Sequence, residues 1–66
     1  MLFKHLLDVI PFDQEITLYN TDTNTYIMEH LYKVESSSFL EVYHYHEVTS
    51  IIALADDLLE IGLRAN

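Results

Sequence analysis

Two histidines two positions apart, His44 and His46, carry the sharpest chemical signal in this 66-residue chain. On a β-strand, side chains at i and i+2 point to one face, so both imidazoles would reach a single ion. Zinc takes neutral imidazole and carboxylate oxygen at about 2.0–2.2 Å, and a closed site needs four ligands. His30, Glu41 and Glu47 are the nearby candidates in sequence. His5 and Asp8, three apart on a helical stretch, share a face and form a second pair. Without a metal, the same residues read as exposed histidines beside tyrosines and as an ordinary polar helix face. Glu29 and His30 are neighbours in a strand, point to opposite faces and do not share an ion. The expectation is zinc on His44 and His46, with His30, Glu41, His5 and Asp8 as further ligands. With no cysteine in the chain, any such site is built from nitrogen and oxygen.

Catalytic constellations are sparse. Asp56 and Asp57 are adjacent carboxylates, but acid–base work needs a pocket around them, and an acidic pair between two apolar runs is first of all a turn. Ser36, Ser37 and Ser38 have no recognisable base, and hydroxyls at a break usually cap helices. Gly62 is the only glycine, which excludes a glycine-rich phosphate loop. These features predict a protein that is not an enzyme.

The elements that must position these groups have little material to work with. A chain of this length buries about 60% of its unfolded surface, which leaves a marginal core that disulfides, metals or oligomerisation commonly reinforce. Half the residues are hydrophobic, with five Tyr and three Phe, so the chain is expected to fold as one small domain over residues 1–66. Eleven acids against three bases give a net charge of −8, which repels phosphate backbones and disfavours direct nucleic-acid or anionic-membrane binding. The opening Met1–Ile10 run is broken by Lys4, His5 and Asp8, too short for a span and unlike a secretory signal, so a cytoplasmic location is expected.

Phe3, Leu6, Leu7 and Ile10 fall at i, i+3, i+4 and i+7, the stripe of an amphipathic helix over residues 2–10 that Pro11 ends. Glu15–Tyr19 alternates and is rich in β-formers; Asn20–Asn24 is all turn chemistry; Thr25–Lys33 resumes β-like residues. Together they predict a hairpin. After the Glu35–Ser38 break, residues 39–46 fit either a short helix capped by Ser37 or Ser38, or a strand through Leu40, Val42, His44 and His46, and the aromatic ladder Tyr43–His46 favours the extended form. Val48, Ile51, Ile52, Ala55 and Leu59 fit a helical stripe, yet residues 51–54 and 59–63 also read as two strands around Ala55–Asp57, with Leu59, Ile61 and Leu63 inward. The hairpin is preferred. The predicted fold class is α+β, a short N-terminal helix packed on a small antiparallel sheet.

The order Glu15-Ile-Thr-Leu-Tyr-Asn20, a polar turn, and the ending Val48-Thr-Ser-Ile51 … Asp56-Asp57-Leu-Leu59-Glu-Ile61 resembles small α/β proteins carried by phages and prophages of Gram-positive bacteria. Among these, the size, acidity and histidine content look most like an anti-CRISPR protein, an inhibitor of the type II single-subunit CRISPR nuclease of the zinc-containing class. That resemblance implies an acidic, non-catalytic inhibitor that binds the nuclease and blocks DNA loading or cleavage in the host bacterial cytoplasm. It also implies zinc on the histidines and neighbouring acids. The contrasting expectation is a phage structural or regulatory module that oligomerises through a sheet edge and binds no nuclease; the tyrosines Tyr19, Tyr26, Tyr32, Tyr43 and Tyr45 suit either kind of contact.

Overall fold

Phe3, Leu6, Leu7 and Ile10 are all buried, as the stripe requires. The helix that presents them is shorter than the pattern suggests. In this computed structural model, which describes residues 1–32 and 37–65 and not the side chains of Ser37 and Phe39, helix α1 spans Phe3–Leu7. Its expected range of 2–10 is cut at both ends for separate reasons. Leu2 forms an antiparallel bridge to Glu47. At the other end Pro11 bars Ile10 from the helical region, and Val9 and Ile10 both donate to the Leu6 carbonyl, at 3.1 and 3.2 Å.

Four strands follow: β1 (Glu15–Asn20), β2 (Thr25–Tyr32), β3 (Glu47–Ala55) and β4 (Leu58–Arg64), in the sheet order β2-β1-β4-β3. Both hairpins expected from the sequence form. In the first, the Asn20 side-chain oxygen accepts from the Asp22 and Thr23 amides at 2.9 and 3.3 Å, and Asn24 takes φ 56°, a conformation Asn tolerates. In the second, Asp56 and Asp57 are the turn between the paired Ala55 and Leu58. Neither has a positive φ, so this is not one of the primed turns whose twist matches the strands. An extra residue in β3, Leu54, falls between the pairs Ala53–Leu59 and Ala55–Leu58. The Gln14 amide clips the turn to β1, donating to the Asp57 and Glu15 carbonyls at 2.6 and 2.9 Å.

The sheet is mixed, which corrects the antiparallel expectation. β1 and β4 pair in parallel from Glu15–Leu58 to Asn20–Leu63. Their apolar residues Ile16, Leu18, Ile61 and Leu63 are fully buried, and that shared face, with α1 across it, fixes the pairing of the two hairpins. Strand β2 bulges twice, between the pairs Ile16–Leu31, Leu18–Met28 and Tyr19–Tyr26. At the first bulge His30 adopts φ 56° and its amide donates to the Thr17 hydroxyl at 3.2 Å. Thr17 is the buried polar residue of the sheet, and its hydroxyl satisfies an amide that the bulge takes out of the ladder.

The segment between the hairpins is helical, so the extended reading of residues 39–46 is overturned. Helix α2 (Ser37–Leu40) runs into a 3-10 turn, Glu41–Tyr43. Lys33 and the Glu35–Ser36 part of the predicted break lie outside the described residues. Leu40, 1% exposed, plugs the core. The amides of His44 and His46 donate three residues back, to Glu41 and Tyr43. The carbonyls of His46 and His44 in turn accept the Phe3 and Lys4 amides, both at 2.9 Å. Helix α1 has no side-chain cap, and this turn supplies partners for two of the four amides that a helix start leaves open. Among the described residues no helix is long and apolar enough to cross a membrane.

Candidate functional site

The capping contact brings the ends of two short helical segments together and leaves a cleft between them. It is lined by Lys4, His5, Leu7 and Asp8 on the α1 side and by Leu40, Glu41 and His44 on the other, with a volume of about 520 Å³. Each wall repeats one spacing. His5 and Asp8 are three apart at the end of α1, and Glu41 and His44 are three apart on a 3-10 turn, where i and i+3 eclipse. Four of the six predicted zinc ligands therefore line one cleft. The Lys4 ammonium sits over the Tyr45 ring, 5.1 Å from its centre, a cation–π contact.

The other two predicted ligands lie elsewhere. The His46 ring packs edge-on against Tyr43, with centroids 5.0 Å apart, and it does not line the cleft. His44 and His46 sit in a turn and a bend, so the same-face geometry of a strand does not apply to them. His30 is at the β2 bulge, its Nδ1 3.5 Å from a Glu15 carboxylate oxygen. The cleft offers two imidazoles and two carboxylates, a donor set zinc accepts. Among the described residues, however, no three His, Asp or Glu side chains are gathered closely enough to hold one ion. Glu47, also near in sequence, lies 3.4 Å from the Met1 ammonium.

A second candidate surface is the face of the sheet turned away from the helices. Strand alternation places Thr17, Tyr19, Ile52, Glu60 and Gly62 there, opposite the buried Ile16, Leu18, Ile61 and Leu63. Tyr19 and Tyr26 meet edge to face with centroids 5.1 Å apart. The Tyr26 hydroxyl donates to Glu60 Oε1 at 2.9 Å. That hydrogen bond, and then the Glu60 charge itself, holds the Tyr26 phenol above the ordinary tyrosine value, with smaller contributions in the same direction from burial and from Glu29. Gly62 is required by close approach: a Cβ there would meet Ser50 Oγ and come within 2.8 Å of Thr49 Oγ1. The sequence signal for this face was the period-two pattern of β1 and β4, which separates Tyr19 and Glu60 from the core residues; Tyr26 joins them from β2 through its pairing with Tyr19.

The raised phenol makes a prediction. A hydroxyl whose folded pKa lies above its unfolded value stabilises the fold below the unfolded value and ceases to do so as pH rises through the folded one. The Glu60→Gln variant removes the charge, so Tyr26 should ionise at lower pH than in the parent. Tyrosine ring shifts followed by NMR above pH 9 check this; an unmoved Tyr26 titration would refute the coupling.

Comparison with protein-family models, with curated proteins and with solved structures finds no match.

Proposed function

We propose that the chain is a non-catalytic, acidic binding protein that occupies a basic, nucleic-acid-binding surface of a protein partner. The observation that carries this reading is the helix-free sheet face, where Tyr19 and the exposed Tyr26 stand with Glu60 in a molecule of net charge −8. Tyrosine offers rigid contact area with a polar tip, and an acidic surround steers association toward a basic groove. Following the resemblance stated above, the partner is the type II single-subunit CRISPR nuclease in a bacterial cytoplasm, and the result is loss of DNA loading or cleavage.

Co-elution with the guide-loaded nuclease tests this. Retention at about 50 mM salt that weakens steeply toward ~0.5 M is expected, since screening removes steering between exposed charges. The Tyr26→Ala variant should bind about tenfold or more weakly if Tyr26 is a contact hot spot. No retention at low salt would overturn the nuclease assignment.

Zinc enters as an ion shared between molecules. With no three donors gathered among the described residues, His5 with Asp8, or Glu41 with His44, would supply two ligands and a second protein the others. Elemental analysis of the isolated chain should then give less than one zinc per chain, and a His5→Ala, His44→Ala double variant should give none. Stoichiometric zinc that survives the double variant would exclude the cleft.

A further inference from the structure

We propose that β3 pairs with β3 of a second copy of this chain, joining the two sheets edge to edge. Strand β3 is the sheet's outer strand. Its first two residues already make ladder-type hydrogen bonds on the outer side: Leu2 forms an isolated antiparallel bridge to Glu47, and the Val48 amide donates to the Met1 carbonyl at 2.8 Å. Beyond Val48, no strand among the described residues pairs with β3 on that side. That open stretch contains Ile51, Ile52 and Leu54, all about half exposed.

The usual protections of an exposed edge are charge, proline, or covering structure. From Val48 to Ala55 the sequence is Val-Thr-Ser-Ile-Ile-Ala-Leu-Ala, without a charge or a proline. Among the described residues Met1 and Leu2 cover its start, and irregularity at Thr49 and Leu54 blunts its ends, which leaves Ser50–Ala53 regular between them. Apolar side chains emerge from both faces of this run. Ile51 and Ala53 oppose Ile61 and Leu59 and share the helix-side face, while Ile52 opposes Glu60 and lies on the other.

A second copy fits this pattern better than a basic peptide. The open stretch Val48–Ala55 offers no charge for a basic strand to meet, but it is complementary to its own reverse. In antiparallel pairing about Ile52, Ile52 meets its own counterpart on one face and Ile51 meets Ala53 on the other. The same register sets Asp56 and Asp57 of each copy toward Val48 and Glu47 of the other, whose outer side Met1 and Leu2 already occupy, so the new ladder is confined to residues 50–54. Two charges of −8 oppose the association, so salt should strengthen it, the reverse of the dependence expected for a basic partner. One strand's width of contact belongs to the small, transient interfaces below ~1,200 Å².

Sedimentation equilibrium of the protein alone, from about 10 µM to 1 mM, tests the proposal independently of any nuclease. A monomer–dimer equilibrium is expected, with the dimer fraction rising between ~0.05 and ~0.5 M salt. The Ile52→Lys variant should be monomeric across the range, because two like charges would then meet on one face. Should that variant unfold, amide exchange of the parent provides the second readout: Ser50–Ala55 should gain protection with concentration while β2, the other edge, does not. A parent monomeric at 1 mM in high salt, a folded Ile52→Lys that still dimerises, or protection that grows on another element overturns the assignment. Failure here leaves the proposed partner binding untouched, since that reading rests on the Tyr19–Tyr26 face.

Discussion

Replacing Glu60 by proline should unfold the protein. Glu60 lies in the middle of β4, opposite Thr17 of β1 on one side and Ile52 of β3 on the other. Whichever neighbour its amide faces, a strand is there, so the ring both removes a ladder hydrogen bond and crowds the adjacent backbone. The disruption is about 3 kcal/mol or more, by analogy with proline in other hydrogen-bonded interiors. A chain of this length has a total stability of roughly 3–10 kcal/mol at 0.05–0.15 kcal/mol per residue. Loss of amide dispersion and of the cooperative thermal transition is the expected result. Glu60→Gln, which keeps the strand, should melt within a few degrees of the parent. A folded Glu60→Pro protein with an unshifted transition would show that β4 is not internal.

Leu6→Asp should be as damaging for a different reason. Leu6 is 8% exposed and packs in the cluster of Phe3, Leu7, Ile10, Ile16, Leu18 and Ile61. Truncating a buried leucine to alanine alone costs about 2–5 kcal/mol, and a carboxylate adds the penalty of an unpaired charge in an apolar site. Val9, three residues on, is 75% exposed, so Val9→Asp should stay within about 0.5 kcal/mol of the parent. Parallel urea titrations of the two variants read the contrast directly. Equal midpoints would mean that the buried face of α1 has been misassigned.

Much of this architecture is written in short-range patterns. The stripe at Phe3, Leu6, Leu7 and Ile10 names the buried face of α1; the Asn20–Asn24 run names one turn; alternation at Leu59, Ile61 and Leu63 names the inner face of β4. Local patterns have no access to what lies opposite them. The parallel pairing of β1 with β4 joins Ile16 to Leu59, and neither strand carries a register marker for the other. Residues 39–46 were misleading because their conformation is chosen by tertiary contacts, the burial of Leu40 and the demand of the α1 amides for the His44 and His46 carbonyls. That choice also rearranges the candidate ligands. The i, i+2 pair loses its common face when the strand is replaced by a turn, while the two i, i+3 pairs, His5–Asp8 and Glu41–His44, come to line one cleft. Their spacing was visible in the sequence; their meeting was not. The bulge at His30, closed by the Thr17 hydroxyl, left no signal beyond a threonine among apolar neighbours.

The parallel contact between β1 and β4 also sets an order of events in time. Each hairpin is closed locally, by loops that form in microseconds. The two central strands come from opposite ends of the sequence, so the buried face that Ile16 and Leu18 share with Ile61 and Leu63 is incomplete until the last strand arrives. The first hairpin therefore keeps its apolar side uncovered until β4 docks beside it. Loop closure must precede the reward of such distant contacts, which places the rate-limiting step at the docking of the two hairpins. Mutations in either turn, whose contacts are already made when the hairpins dock, should then mainly slow folding, whereas those at Ile16 or Ile61, whose contacts are completed by docking, should both slow folding and speed unfolding.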